Sequence, residues 1–180
     1  MLKIIGFDLD GVFVDHPPFV SFSILDCLYK DRKKQELSYR FPSQFEQKIR
    51  RLSHLSFVRP PITANCEQLK KIKDQYSLYL ISGRFGFLED LTYKWLKKYE
   101  MDNVFKKICL NTGNEQPHLF KERMLKENII NAYCEDDFDS ITYLANRFKK
   151  IKFYWYTNDQ NVKLKVSNII AINNLGEIFK

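Results

Sequence analysis

The sequence predicts an α/β domain built on a doubly wound, mostly parallel sheet, and three observations carry this expectation. Short apolar runs recur along the chain, segments with helical periodicity separate them, and polar residues directly follow several of the runs. Strands that alternate with helices imply right-handed crossovers and a parallel sheet covered by helices on both faces. The expected fold is therefore Rossmann-like.

The predicted strands are apolar runs of four to six residues: Leu2 to Phe7, Ser77 to Ile81, Lys107 to Leu110, Ile129 to Cys134, Lys152 to Tyr156 and Ile169 to Ile172. Runs of this length do not by themselves distinguish a strand from a buried helix. The segments between them decide the matter, because they carry apolar residues at the spacing of one helix face. Two such faces are Leu88, Leu91 and Trp95, and Ile141, Leu144, Ala145 and Phe148.

One region, from residue 16 to residue 62, interrupts this alternation. Ser43 and Glu46 have the spacing of a capping box, which predicts the start of a helix with an apolar stripe of Phe45, Ile49 and Leu52. An earlier helix is predicted over Val20 to Asp31. We therefore expect a core domain of residues 1–15 and 63–180, with residues 16–62 forming a small helical cap inserted after the first strand.

The size and the net charge of the chain limit the classes of function that it can have. A chain of 180 residues can bury one full core but not two large ones. Its net charge of +7 favours phosphate-bearing partners, although a solvated lysine-rich surface is the commoner cause. The basic residues are spread along the chain, which argues against a nucleic-acid-binding tail.

Other features of the sequence bear on compartment. The four cysteines are scattered without a CxxC pair, and no apolar run approaches the ~20 residues that span a bilayer. We expect a cytoplasmic protein with no membrane partner, and the sequence leaves its oligomeric state open.

Polar residues that follow apolar runs are the candidates for chemistry, because ligands of open parallel sheets bind beyond the carboxyl ends of the strands. Asp8 and Asp10 end the first run, and Ser82, Gly83 and Arg84 end the second. Glu135, Asp136 and Asp137 follow the fourth run, and Lys121 lies in the helix before it. Each cluster alone could be helix capping. Together, at successive strand ends, they favour a functional site.

This constellation resembles the four motifs of the haloacid dehalogenase (HAD) superfamily. The resemblance runs from Leu2 to about Arg147, and residues 16–62 resemble the small helical cap found at that place in many HAD phosphatases. The stretch from Pro60 to Arg84 is also similar to the 5'(3')-deoxyribonucleotidase branch.

The resemblance implies a role for each motif residue. Asp8 would be the nucleophile that forms a phospho-aspartate, and Asp10 would act as general acid and base. Ser82, Gly83 and Lys121 would bind the phosphate, Ser82 and Lys121 as part of the catalytic set. The Mg²⁺ ligands would be Asp8, the backbone carbonyl of Asp10, and Asp136, with Asp137 or Glu135 reaching the metal through water.

The expected function is a Mg²⁺-dependent phosphatase that hydrolyses a small phosphomonoester, with a nucleoside monophosphate as the first candidate. An acid at position 10 favours phosphoryl transfer over dehalogenation, and Arg84 is a candidate contact to the substrate or a second anionic group. The alternatives are a phosphatase for sugar phosphates or nucleic-acid ends, and a non-catalytic binding module of the same fold.

Overall fold

A computed structural model describes residues 3–17, 29–31, 34, 36–159 and 164–179 of the chain. Within these residues the strands are β1 (Ile4–Phe7), β2 (Ser77–Phe85), β3 (Lys107–Asn111), β4 (Ala132–Glu135), β5 (Lys152–Tyr156) and β6 (Ile169–Ile172). They form one parallel sheet in the order β3-β2-β1-β4-β5-β6. The predicted doubly wound parallel sheet is therefore confirmed.

The described helices are α1 (Gln44–Ser53), α2 (Thr63–Ile72), α3 (Glu89–Lys98), α4 (Pro117–Glu127) and α5 (Phe138–Arg147). The last four cover the two faces of the sheet, whereas α1 lies in the inserted segment. One buried cluster joins β1 to α2 and α3 through Phe7, Leu69 and Trp95. The other joins α4 and α5 to the opposite face, with Phe120 and Leu144 at its centre. Of the predicted helix faces, Ile141, Leu144 and Ala145 lie in the second cluster with Phe148 against it. Trp95 lies in the first cluster, whereas Leu88 and Leu91 are buried outside both.

The strand order reverses at β1, which pairs with β2 on one side and β4 on the other. The chain winds outward from β1 to β3, returns to β4 and continues to β6. In open parallel sheets this reversal leaves a crevice beyond the carboxyl ends of the two central strands. Residues that follow β1 and β4 therefore face each other across that crevice.

The largest differences from the predicted strand boundaries are at the end of β2 and the start of β4. β2 continues through Phe85, with an irregularity after Ser82, because Ser82 pairs with Leu110 whereas Phe85 pairs with the next residue, Asn111. β4 begins at Ala132 rather than at Ile129. Ile129 has a φ of 51° and is 78% exposed, since it lies in the turn that follows α4 and not in the sheet. An apolar residue just past a helix end is thus mistaken for the start of a strand.

The two ends of the segment inserted after β1 lie side by side and are joined by backbone contacts. Val14 forms an antiparallel bridge with Pro61, and the Ile62 N–H donates to the Phe13 carbonyl. The capping box of Ser43 and Glu46 at the start of α1 is present. The domain division at residues 15 and 62 stays a prediction, and most of the helix predicted over Val20 to Asp31 lies outside the described residues.

The apolar stripe of α1 is exposed: Phe45 is 72% exposed, Ile49 51% and Leu52 66%. Three of the four cysteines, Cys66, Cys109 and Cys134, are free and buried, and Cys27 lies outside the described residues. Among the described residues, no helix has both the length and the apolar character needed to span a lipid bilayer.

Candidate active site

Asp8 is the first residue after β1, and the backbone fixes its position. Its N–H donates to the carbonyl of Cys134 at 2.9 Å, which extends the pairing between β1 and β4 by one residue. Its side chain is almost fully buried. Burial, together with the nearby charge of Glu135, raises the pKa of Asp8 to about 8, although Lys121 partly opposes the shift.

Three carboxylates meet beyond the ends of β1 and β4. Oxygen atoms of Asp8, Glu135 and Asp136 all lie within 4.8 Å of one another. Burial raises the pKa of both Glu135 and Asp136 in this cluster. Carboxylates crowded in this way repel one another, and a bound cation relieves the repulsion.

The donor set fits a hard cation such as Mg²⁺. Oδ1 of Asp8 is buried and accepts no hydrogen bond from the described residues, which leaves a lone pair for a metal. Two more carboxylates stand at the same place, and Mg²⁺ binds through a few such oxygens while keeping several waters. His16 Nε2 lies 3.5 Å from Asp136 Oδ2.

Lys121 provides the positive charge beside these carboxylates. Its Nζ lies 2.6 Å from Glu135 Oε2 and 3.2 Å from Asp8 Oδ1, the latter as an ion pair without hydrogen-bond alignment. Burial opposes the charge on Lys121, but Asp8 and Glu135 outweigh burial and raise the pKa of the ammonium. Lys121 therefore stays charged.

Two residues let the parts of the site approach closely. Gly11 has a φ of 67°, and a β-carbon there would lie 1.8 Å from Oδ2 of Asp136. A β-carbon on Gly83 would lie 2.8 Å from the side chain of Pro117 and 3.3 Å from Lys121 Cε. Both glycines admit neighbouring side chains of the site into space that any other residue would fill.

Asp10 points away from the carboxylate cluster and toward two arginines. Arg84 donates from Nε to Oδ2 at 2.7 Å and from Nη2 to Oδ1 at 2.6 Å. Arg59 donates from Nη2 to the same Oδ1 at 2.5 Å. Burial alone would raise the pKa of Asp10, but the two guanidinium groups outweigh it and hold the pKa well below its usual range.

The remaining predicted residues are placed as follows. Ser82 is buried, and its Oγ lies 3.4 Å from the backbone N–H of Arg84. Gly83 and Arg84 line the cavity described below, whereas Ser82 is not among the lining residues. Ser82 to Arg84 belong to β2 itself rather than to the loop after it, since the irregularity after Ser82 lets the strand continue to Phe85.

Asp137, predicted as a metal ligand, lies outside the three-carboxylate group. Its side chain caps α5 by accepting from the Asp139 N–H, and it pairs with Lys30 Nζ at 2.7 Å. The Tyr39 hydroxyl donates to its other oxygen. These partners lower the pKa of Asp137 against the effect of burial. Glu135, and not Asp137, therefore completes the group with Asp8 and Asp136.

These side chains surround one cavity of about 580 Å³. Its acidic side holds the three-carboxylate group with Lys121. Its basic side holds Arg59, Arg84 and Arg50. Aromatic side chains close part of the wall, and the lining includes Tyr29, Tyr39, Phe85, Phe87 and Phe138.

Among the cavity residues that sequence reasoning missed are four polar ones, Lys30, Tyr39, His54 and Arg59. All four come from the inserted segment, where no motif marks them. His54 is buried with a pKa lowered to about 3, so it is neutral, and its ring Nδ1 lies 2.7 Å from the Arg50 carbonyl. Tyr39 is held to the core by Gln116, whose side chain bonds both the N–H and the carbonyl of Tyr39.

No protein-family model matches this sequence, and no curated protein matches it. The fold, in contrast, matches solved structures. A haloacid dehalogenase-like hydrolase from Streptococcus pneumoniae superposes with a TM-score of 0.59 at 16% identity, over 99% of this chain and 97% of that chain. A protein described as a dehalogenase gives a TM-score of 0.61 at 14% identity, over 99% and 96%.

A third neighbour is a HAD family enzyme from Bacteroides thetaiotaomicron, solved in complex with magnesium and inorganic phosphate. It gives a TM-score of 0.56 at 16% identity, over 89% of this chain and 97% of that chain. Identities this low establish the fold alone. The chain thus has the fold of the haloacid dehalogenase-like hydrolases, which confirms the fold that its motifs implied.

Proposed function

We propose that this chain is a Mg²⁺-dependent phosphomonoester hydrolase of the HAD superfamily, with Asp8 as its nucleophile. One observation carries the proposal. Oδ1 of Asp8 is buried beside Lys121, accepts no hydrogen bond from the described residues, and lies within 4.8 Å of ligand oxygens of Glu135 and Asp136. A buried carboxylate with a free lone pair, an adjacent cation and a metal-type donor set suits attack on phosphorus.

The proposed ligands for Mg²⁺ are Asp8, Glu135 and Asp136, with the Asp10 backbone carbonyl as a fourth. When bound there, Mg²⁺ would offset the negative charge that otherwise keeps a carboxylate and a phosphate apart. The metal-bearing neighbour from Bacteroides thetaiotaomicron supports this cofactor by analogy of fold.

In the first step, a carboxylate oxygen of Asp8 attacks phosphorus, and the bond between phosphorus and the ester oxygen breaks. Lys121 stabilises the charge that develops on the phosphoryl oxygens, and backbone and side-chain donors of Ser82 and Gly83 are proposed to orient them. The leaving oxygen takes a proton from Asp10, for which Asp10 must first become protonated as the substrate alters its contacts with the arginines.

In the second step, water attacks the phospho-aspartate and releases inorganic phosphate. Asp10 accepts the proton of that water, and Asp8 is regenerated as a carboxylate. Arg59 and Arg84 keep Asp10 ionised but lower its pKa and so weaken it as a base, and both of its roles therefore require the substrate to alter the contacts between Asp10 and the arginines.

Phosphoryl transfer is favoured over dehalogenation, although a neighbour of this fold is described as a dehalogenase. The acid at position 10 and the three-carboxylate group both serve phosphoryl chemistry, and neither is needed to displace a halide. A nucleoside monophosphate remains the first candidate substrate, with sugar phosphates and nucleic-acid ends as alternatives.

The test is a phosphate-release assay over nucleoside monophosphates, sugar phosphates and phosphorylated acids, with Mg²⁺ and with EDTA. We expect release only with Mg²⁺, and Asp8→Asn should lower kcat by at least ~10³-fold, about 4 kcal/mol of barrier. Asp74→Asn, a change at an exposed acid remote from the cavity, is the matched control. Release that persists within tenfold in Asp8→Asn would exclude Asp8 as the nucleophile.

A further inference from the structure

The two arginines at Asp10 form an unusual pair, because both guanidinium groups converge on one carboxylate. The side chains of Arg59 and Arg84 are 4% and 6% exposed, so neither charge is solvated by bulk water. Arg84 uses three of its nitrogens, two on Asp10 and Nη1 on the Thr92 hydroxyl at 3.1 Å.

Arg59 is less completely paired than Arg84. Asp10 is the hydrogen-bond partner of its guanidinium among the described residues, and its buried Nε has none. A buried donor without an acceptor costs roughly 1–3 kcal/mol, and more when it carries charge. The backbone of Arg59 is held in place by Trp95, whose indole Nε1–H donates to the Arg59 carbonyl at 2.9 Å.

Among the described residues, the charges around Asp10 do not balance. Arg59 and Arg84 together bring two positive charges to the single negative charge of Asp10. The neutral His54 contributes no anion. The carboxylates on the opposite side have Lys121 and the proposed metal as their own partners.

The guanidinium pair belongs to the reaction cavity and not to a separate surface. Gly83 and Lys121, both proposed to bind the phosphoryl group, line the same cavity as Arg59 and Arg84. An oxyanion bound at the arginines would therefore be part of the molecule whose phosphate reaches Asp8. The planar guanidinium fork matches the two oxygens of a carboxylate or phosphate.

We propose that Arg59 and Arg84 bind a second oxyanion of the substrate, so that the preferred substrates are phosphomonoesters carrying a carboxylate or a further phosphate. This inference rests on the proposed function, since it assumes that the first phosphate lies at Asp8. It assigns Arg59, from the inserted segment, as a specificity-determining residue.

Binding of non-hydrolysable phosphonates tests this inference without turnover. Propylphosphonate and 3-phosphonopropionate differ only in a methyl group against a carboxylate, and butylphosphonate and 4-phosphonobutyrate repeat the pair with a longer spacer. By calorimetry with Mg²⁺, the carboxylate member of at least one pair should bind at least tenfold more tightly, about 1.4 kcal/mol. Propane-1,3-bisphosphonate extends the comparison from a carboxylate to a second phosphate.

Variants then assign the preference to the arginines. Arg59→Gln should reduce the tenfold ratio to less than about threefold, and Arg59→Lys should restore part of it. Arg51→Gln, a change at an exposed arginine that pairs with Asp90, should keep the ratio of the parent protein. If Arg59→Gln does not fold, Arg84→Lys serves the same comparison.

The outcomes separate this inference from the proposed function. A ratio near one in the parent protein, or equal weakening of both members of a pair by Arg59→Gln, would mean that the arginines only position Asp10. Hydrolysis of adenosine 3'-phosphate and adenosine 3',5'-bisphosphate supplies the activity arm, in which the second substrate should have the higher kcat/KM. Binding preference without any hydrolysis would overturn the phosphatase and leave the oxyanion site standing.

Discussion

Gly11 and Asp136 are in contact in a way that a side chain at position 11 would prevent. A β-carbon on Gly11 would lie 1.8 Å from the Asp136 Oδ2 atom, and the backbone there has a φ of 67°. The turn after β1 and the carboxylate after β4 therefore share one small volume. The glycine of the motif is needed for the position of the metal-type donors as well as for the turn.

Gly11→Ala is accordingly expected to damage both stability and the carboxylate group. The positive φ alone costs an alanine ~1 kcal/mol or more, and the overlap with Asp136 adds to it. Gly113→Ala is the control, since a β-carbon there meets nothing within 4 Å. Urea denaturation should give a loss of at least ~2 kcal/mol for the first variant and little change for the second. Equal stabilities would contradict the contact described here.

The raised pKa of Asp8 makes stability depend on pH in the metal-free protein. At pH 7 folded Asp8 holds a proton that the unfolded chain has already lost, because its pKa is raised to about 8. The free energy of unfolding should therefore fall between pH 7 and 8, by at most about 1.4 kcal/mol per pH unit for this group. The lowered pKa of His54 opposes this trend only weakly, because unfolded His54 is already mostly neutral at pH 7.

The trend is measured as Tm in EDTA at pH 7, 7.5 and 8, and again with Mg²⁺. Metal binding replaces the proton on Asp8, so the rise in Tm caused by Mg²⁺ should be larger at pH 8 than at pH 7. Asp8→Asn should reduce the metal-free trend, and the raised pKa values of Glu135 and Asp136 account for the part that is left. A parent protein whose Tm follows the same pH course as Asp8→Asn would rule out a protonated Asp8.

The buried pair of Lys121 and Glu135 predicts a non-additive double substitution. Lys121→Met leaves the fully buried Glu135 without its 2.6 Å partner, at a cost of about 3–5 kcal/mol. Lys121→Met with Glu135→Gln removes both charges and should recover part of that loss. Phosphate release should stay abolished in both proteins. A double variant no more stable than Lys121→Met would argue against the pairing.

The sequence predicts which strands form better than it predicts where each strand begins and ends. β5 and β6 match the ranges predicted from their apolar runs. β2 and β4 do not, since a strand irregularity extends one and the turn after α4 displaces the other. Apolar runs in the sequence locate the strands, whereas the residue at which a strand ends is set by its pairing with neighbouring strands.

The residues of the site likewise divide into those that the sequence predicts and those that it does not. Asp8 and Asp10 are readable from sequence, because strand ends place them together at one edge of the sheet. Arg59 is not readable: it is 49 residues from its partner Asp10 and is one of 29 basic residues in the chain. Only the folding of the inserted segment onto the core selects it.

Two adjacent acids after β4 offer the most direct test of the metal site. Asp136 shares the carboxylate group with Asp8, whereas Asp137 is occupied by Lys30, Tyr39 and the start of α5. We expect Asp136→Asn to weaken Mg²⁺ binding at least tenfold. Asp137→Asn retains a side chain that can cap the helix, and it should change Mg²⁺ affinity by less than about threefold.

Calorimetric Mg²⁺ titrations of the two variants and the parent protein at pH 8 make this comparison, with Tm as a check on folding. The adjacent positions lie in the same short connection between β4 and α5 and undergo the same change in charge, so each variant controls for the other. A weakening by Asp137→Asn as large as that of Asp136→Asn would instead support Asp137 as a ligand, as the motif alone suggests. In that case the contacts of Asp137 with Lys30 and Tyr39 would have to break when the metal binds.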